Sequence, residues 1–119
     1  MLKPSIVSRW YLEVMYEDSV RDTLRTFMAE RDWQQFHTPE NLAKSVSIEA
    51  AELLECFQWG GADLDSAQDE LADVLTYCML LADKLDLDPD TIVLDKLAKT
   101  DKKYPVEKAR GTSVKYDQL

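Results

Sequence analysis

A chain of 119 residues makes one domain of ordinary size, with room for a core but small enough that pairing with further copies could add much of its stability. Its 14 basic residues against 23 acidic ones give a net charge of −9, which argues against a general binder of nucleic-acid polymers or of anionic membranes. Glycine and proline are sparse, and three of the four prolines fall where helices would begin or end, so the composition points to an all-α protein.

Neither apolar run is long enough to span a bilayer, and the amino terminus lacks the apolar core and cleavage site of a signal peptide. Cys56 and Cys78 both sit inside apolar helical patterns, which reads as buried free thiols in a reducing compartment; a cytoplasmic location is expected.

Residues 1–17 carry Trp10, Tyr11 and Tyr16 without a clear period and are read as an amino-terminal extension, with Met15 a possible start of the domain proper. From Ser19 to Arg31, Val20, Leu24 and Phe27 recur at helical spacing behind an Asp18 or Ser19 cap. The segment ERDWQQFHTPEN then breaks the period and brings Trp33, Phe36 and His37 close together. It ends in a start signal: Thr38 as cap, Pro39 at the first helical position and Glu40 at the positive end of the helix dipole. The second helix runs to about Trp59 with Leu42, Val46, Ala50, Leu53 and Phe57 as its core stripe, and Gly60-Gly61 ends it.

Several caps compete between Asp63 and Asp69 for the third helix, which continues to about Leu85. Only Asp73 and Thr76 interrupt its apolar run from Ala72 to Ala82, so it is either the central helix or a contact between copies. Asp88, Pro89 and Asp90 repeat the earlier start signal for a fourth helix, which turns Ile92, Val93 and Leu97 inward and ends before Pro105. Residues 18–105 thus form a helical domain, and the polar tail 106–119 is expected to be irregular.

Two acidic ridges stand out in this scaffold. Glu49, Glu52 and Glu55 are three apart, so each step turns back about 60° and rises about 4.5 Å along one helix flank. Glu70 and Asp73 repeat the spacing on the third helix. Carboxylates against apolar neighbours are costly unless something positive shares the site, and these two helices contain only Lys44 and Lys84 as cations. A hard divalent ion, Mg²⁺ or Mn²⁺, is the alternative, because it takes oxygen ligands. A short connection makes the helices antiparallel neighbours, so Glu49 and Glu52 could face Glu70 and Asp73. Glu55 is expected at the margin of that group. The plain alternative is a solvated acidic face. A di-iron bundle would pair Glu with His three residues on, and the only histidine, His37, lies elsewhere.

The aromatics carry a similar ambiguity. Trp59 is seven residues beyond Glu52, and Tyr77 seven beyond Glu70, so each shares a helix face with an acid. Such residues are commonly core. Antiparallel helices would place the two on opposite sides of the acids, so a single nucleotide touching both would require a pocket shared between subunits.

RDWQQFH, NLAKSVSIEAAELLECFQW, DELADVLTYCMLLADKL and KKYPVEKARG, in this order and spacing, resemble the MazG-like all-α nucleotide pyrophosphohydrolases, the dCTP pyrophosphatase branch in particular. The resemblance covers about Leu24 to Leu119. It implies a four-helix bundle-like fold, assembly as homodimers or homotetramers with the site at the subunit interface, and Mg²⁺-dependent cleavage of a (deoxy)nucleoside triphosphate to monophosphate and pyrophosphate. It also implies a housecleaning role in the nucleotide pool, with dCTP or a modified dCTP as substrate.

The family's metal-binding acids match Glu49, Glu52, Glu70 and Asp73. Its substrate contacts match Trp33, Gln34, Gln35, Phe36, His37, Trp59 and Tyr77, with Lys102 and Lys103 before the Tyr-Pro pair. Two positions depart from the pattern: Ile48 where a second Glu is common, which fits the dCTP branch, and Thr100 where an Asn is common. On this reading Glu49 or Glu52 takes the proton of the attacking water, and Lys99, Lys103 or Arg110 steadies the leaving pyrophosphate. The base stacks on Trp33, Phe36 or Trp59, and His37 or Asn41 reads its polar edge. For His37 the alternative is ring packing at a helix entry. The competing class is a non-enzymatic helical module that holds metal or nucleotide without turnover.

Overall fold

Side-chain caps decide where the helices begin. The computed structural model describes residues 20–61 and 63–119, so the expectations for residues 1–17 and for the Asp18 or Ser19 cap lie outside the described residues. The described chain runs through α1 (Val20–Glu30), a 3₁₀ turn (Gln34–Phe36), α2 (Pro39–Gln58), α3 (Leu64–Lys84), α4 (Pro89–Lys103), the short α5 (Val106–Ala109) and a last 3₁₀ turn (Tyr116–Gln118). No strand occurs among the described residues, and the chain is all-helical.

Thr38 Oγ1 accepts from the Asn41 backbone N–H at 3.1 Å, and Pro39 opens α2 as its missing donor allows. Asp63 settles the competition for the start of α3, because its carboxylate accepts from the Ser66 N–H at 3.3 Å and the Ser66 hydroxyl at 2.7 Å. Asp88 treats Thr91 in the same way, at 2.9 and 2.8 Å. Between α2 and α3 the backbone turns through Gly60 and Gly61 at φ 80° and 72°, a region where a Cβ is strained.

The chain divides into two compact units, one ending at Asp86 and one beginning at Leu87. In the first, Met28 of α1, Leu42 of α2 and Leu80 of α3 form the buried core, with Leu24, Phe27, Tyr77 and Leu81 packed against it. Leu42 meets Leu80, and seven residues further along α2, Glu49 meets Asp73, seven residues back along α3. The two helices are therefore antiparallel. Arg21 and Arg25, four apart on one face of α1, both bind the Asp83 carboxylate, Arg21 through Nε at 2.9 Å, and tie α1 to the far end of α3.

In the second unit the tail is more ordered than expected. Pro105 cannot continue α4, yet its carbonyl accepts from the Ala109 N–H at 2.9 Å and starts α5. The Tyr104 and Tyr116 rings meet edge to face at 6.1 Å, the Tyr116 N–H donates to Tyr104 Oη at 3.3 Å, and Lys103 Nζ lies 4.8 Å from the Tyr116 ring.

Burial differs from the expected stripes. On α2 only Leu42 is fully buried; Val46 and Leu53 are half-buried, and Ala50 and Phe57 are exposed. Ile92, Val93 and Leu97 of α4, expected to face inward, are exposed as well. Cys56 is half-buried and Cys78 exposed rather than buried, and both are free thiols. Periodicity marks which side chains share a face, whereas burial needs a neighbour to cover that face; on α2 and α3 that neighbour is α1, which covers only part of the pair.

Leu42 is 1% exposed at the junction of all three helices. Leu42→Ala should cost about 3 kcal/mol, as buried Leu truncations do, seen as a lower urea midpoint with an unchanged m-value.

Candidate active site

The antiparallel pairing puts carboxylates where no cation among the described residues offsets them. Oxygens of Glu49, Glu70 and Asp73 lie within 4.8 Å of one another. Glu52, one turn beyond Glu49 on α2, lies close enough to Glu49 and Glu70 to act on both carboxyls. Glu55, on the same helix, is exposed and outside the cluster.

Burial is the first cause that raises these acids. Glu49 is pushed up to about 7 by desolvation, then by its hydrogen bond to Glu52 and by the charges of Glu52, Asp73 and Glu70. Glu70 is raised in the same direction by desolvation and then by Glu52. One oxygen of each, Glu49 Oε2 and Glu70 Oε2, is buried without a hydrogen-bond partner. A buried acceptor left unpaired costs free energy, and a hard cation with oxygen ligands is the group whose chemistry satisfies both atoms at once. The donor set fits Mg²⁺ or Mn²⁺.

A cleft of about 340 Å³ opens beside the hydrophobic core, toward the Asp83 end of α3. Met28, Leu42 and Leu80 make its apolar floor, and Arg25, Gln34, His37, Asp83 and Lys84 its polar rim. Burial and the neighbouring Lys84 ammonium hold the His37 imidazole below its ordinary range, so it is neutral at pH 7. Asp83 is shifted the opposite way from the Glu49 cluster: its bond to Arg25, and more weakly that to Arg21, holds its carboxyl below the usual range.

Gln34 and His37 are the two expected substrate contacts that line the cleft. Trp33 is partly exposed and meets Phe27 edge to face at 5.9 Å, and Phe36 is exposed. Gln35 is occupied locally, its Nε2 donating to Asp32 O and Oδ2 at 2.9 Å, and Asn41 Nδ2 donates to Phe36 O at 3.1 Å. Trp59 stands 85% exposed at the end of α2, free to meet a ligand or another chain, whereas Tyr77 packs on the core. Lys99, Lys103 and Arg110 belong to the second unit, as does Thr100, whose hydroxyl donates to Lys96 O at 3.0 Å. Ile48 is exposed.

Arg25 and Asp83 raise no expectation in the sequence, and Lys84 figures there only as one of two cations on the acid-bearing helices. The four-residue spacing of Arg21 and Arg25 was a signal that one acid faces both, but it does not say which acid.

Comparison with known proteins bears on this geometry. The MazG-like family model matches residues 44–119, the part that carries all four acids. The chain belongs to the MazG-like family. It is 38% identical over 113 residues to human dCTP pyrophosphatase 1, in a match that covers 86% of this chain and 66% of the human protein. The rat dCTP pyrophosphatase 1 is 35% identical with the same coverage. This MazG-like chain therefore spans about two thirds of the length of those relatives. A crystal structure of a pyrophosphatase from Archaeoglobus fulgidus superposes with a TM-score of 0.65 at 41% identity, covering 71% of this chain and 87% of that one.

The raised acids fix the sign of a pH effect. Between the ordinary carboxyl value of 4.5 and about 7 the folded MazG-like chain holds protons at Glu49 that the unfolded chain has released, so stability falls as pH rises through this window. In chelator, Tm should drop from pH 5 to pH 7.5. Mg²⁺ should raise Tm more at pH 7.5 than at pH 5, and Glu49→Gln should flatten both trends.

Proposed function

We propose that this chain is a divalent-metal-dependent (deoxy)nucleoside triphosphate pyrophosphohydrolase, cleaving dCTP or a modified dCTP to monophosphate and pyrophosphate in a housecleaning role. The observation that carries this reading is the cluster of Glu49, Glu70 and Asp73, two of whose members, Glu49 and Glu70, each keep a buried oxygen without a hydrogen-bond partner. The names of the mammalian relatives and of the archaeal neighbour support the reaction class.

Glu49, Glu52, Glu70 and Asp73 would hold the cation. Mg²⁺, or Mn²⁺ in its place, would supply positive charge and Lewis acidity to a triphosphate that a chain of net charge −9 otherwise repels. The protein's own groups do the rest. A water oxygen bonds to the α-phosphorus as the bond to the oxygen bridging α and β breaks, and pyrophosphate leaves with that electron pair. Glu49 or its neighbour Glu52 accepts the water's proton. Lys99, Lys103 and Arg110 would steady the departing pyrophosphate. Trp33, Phe36 and Trp59 offer rings for the base, and Gln34, Gln35, His37, Asn41 and Tyr77 would complete its surroundings.

The apolar residues exposed on α2 and α3, among them Ile48, Leu54, Phe57, Leu71 and Leu75, support a homodimer or homotetramer with the site at the subunit interface. The two free cysteines suit a reducing, cytoplasmic compartment.

Purified protein with Mg²⁺ should release pyrophosphate from dCTP as its first product. Orthophosphate as the first product would exclude the reaction, and nucleotide binding without turnover would place the chain among non-enzymatic modules. Glu49→Gln and Asp73→Asn should each lower kcat by at least about 100-fold while leaving the helical circular dichroism unchanged.

A further inference from the structure

Beyond Arg110 the tail carries no expected contact with substrate, yet it closes on a cation that does. We propose that Tyr116 is a positioning residue for the leaving pyrophosphate: its ring holds the Lys103 ammonium at the end of α4 with its hydrogen-bond donors free for the departing phosphates. The inference rests on the pyrophosphohydrolase reading and on the place of Lys103 in it, and it adds to that reading a residue from the tail.

The tail returns to the end of α4, and all the groups involved lie in the second unit. Gly111, at φ 78°, takes a left-handed turn that a Cβ would strain. Twelve residues beyond Tyr104, the Tyr116 N–H then donates to Tyr104 Oη at 3.3 Å, and the two rings meet edge to face at 6.1 Å and 79°. Tyr104 is itself tied to α4, its N–H donating to Thr100 O at 2.9 Å. The last 3₁₀ turn holds the backbone that follows, with the Gln118 N–H donating to Lys115 O at 2.9 Å. The Tyr116 ring is therefore anchored before any ligand arrives.

Lys103 is what the ring is anchored against. Of the cations proposed for the pyrophosphate, Lys99, Lys103 and Arg110, it is the one that lies over a ring among the described residues, with Nζ 4.8 Å from the Tyr116 centroid. No carboxylate pairs with it among the described residues. A carboxylate would occupy the ammonium's donors and offset its charge. The face of a ring attracts the charge through its quadrupole and leaves the N–H groups to a ligand. A lysine at a helix end otherwise samples many rotamers, and ordering it on binding would cost entropy that the ring has already removed. Charge builds on the pyrophosphate as the bond to the bridging oxygen breaks, so a cation fixed in advance favours that moment over the ground state.

The test measures kcat/KM for Mg²⁺-dependent pyrophosphate release from dCTP and the inhibition constant of added pyrophosphate. Tyr116→Leu should lower the first and raise the second by about 3- to 5-fold, the size of an exposed cation–π contact. Tyr116→Phe keeps the ring and should hold the wild-type values. In a Lys103→Met background Tyr116→Leu should add nothing, because the ring then has no cation to place. Equal effects with and without Lys103 would mark Tyr116 as merely structural and overturn the proposal, as would a loss in Tyr116→Phe or no change in Tyr116→Leu. Should Tyr116→Leu fail to fold, Tyr104→Phe, which removes the acceptor of the Tyr116 N–H, is read through the same cycle. A shift that vanishes in the Lys103→Met background supports the proposal, and one that persists, or no shift at all, overturns it. Pyrophosphate release by wild-type protein with a failed cycle defeats this inference alone. No release from any triphosphate defeats the hydrolase reading and this inference with it.

Discussion

The register of α2 against α3 is the constraint from which the rest follows. One antiparallel pairing sets Leu42 on Leu80 and, two turns further on, Glu49 beside Asp73 and Glu70. A slip of one residue on either helix would rotate its side chains by about 100° and separate both layers together. The apolar layer thus does more than bury surface. It holds like charges at a spacing they would not adopt unaided, because the burial free energy of the core is spread over the same two helices that carry the repulsion.

Along that pair, carboxylates of the same chemistry are driven in opposite directions. Glu49 and Glu70 have further carboxylates for company, Glu52 and Asp73 beside both and Asp69 near Glu70, and desolvation raises both. Asp83, ten residues beyond Asp73, has two guanidinium groups and is held low. The first group takes up a proton or a cation more readily than an ordinary carboxylate does. The second remains a fixed acceptor. The difference comes from what lies opposite on the neighbouring helix: further carboxylates for the first group, the two guanidinium groups of α1 for the second.

Much of this was legible in the residues. Thr38-Pro39 and Asp88-Pro89 announce helix starts because cap chemistry is local, and the acids three apart announce a ridge because helical geometry is local too. The opening of α3 was less so, since Asp63, Asp65, Ser66 and Asp69 offer similar chemistry and only the bonds from Asp63 to Ser66 separate them. The pairing of Asp83 with Arg21 and Arg25 spans about sixty residues of chain, and no local rule connects them. The short helix after Pro105 was hidden for a different reason: a polar tail has no stripe to read, and its order comes from Tyr104 and Tyr116.

The exposed stripe of α2 completes the account. Val46, Ala50, Leu53 and Phe57 recur as a core stripe should, yet among the described residues none of the four is fully buried. Leu71 and Leu75 of α3 are exposed as well. Exposed apolar residues in this number, on the two helices that carry the acids, are what a further helix surface would cover. Trp59 extends from the end of α2 almost bare, seven residues beyond Glu52, while Tyr77 is taken up by the core. The proposed assembly of paired chains accounts for both observations at once: covering the stripe brings another copy's surface to the edge of the acid layer, where an exposed indole would meet the nucleotide held there.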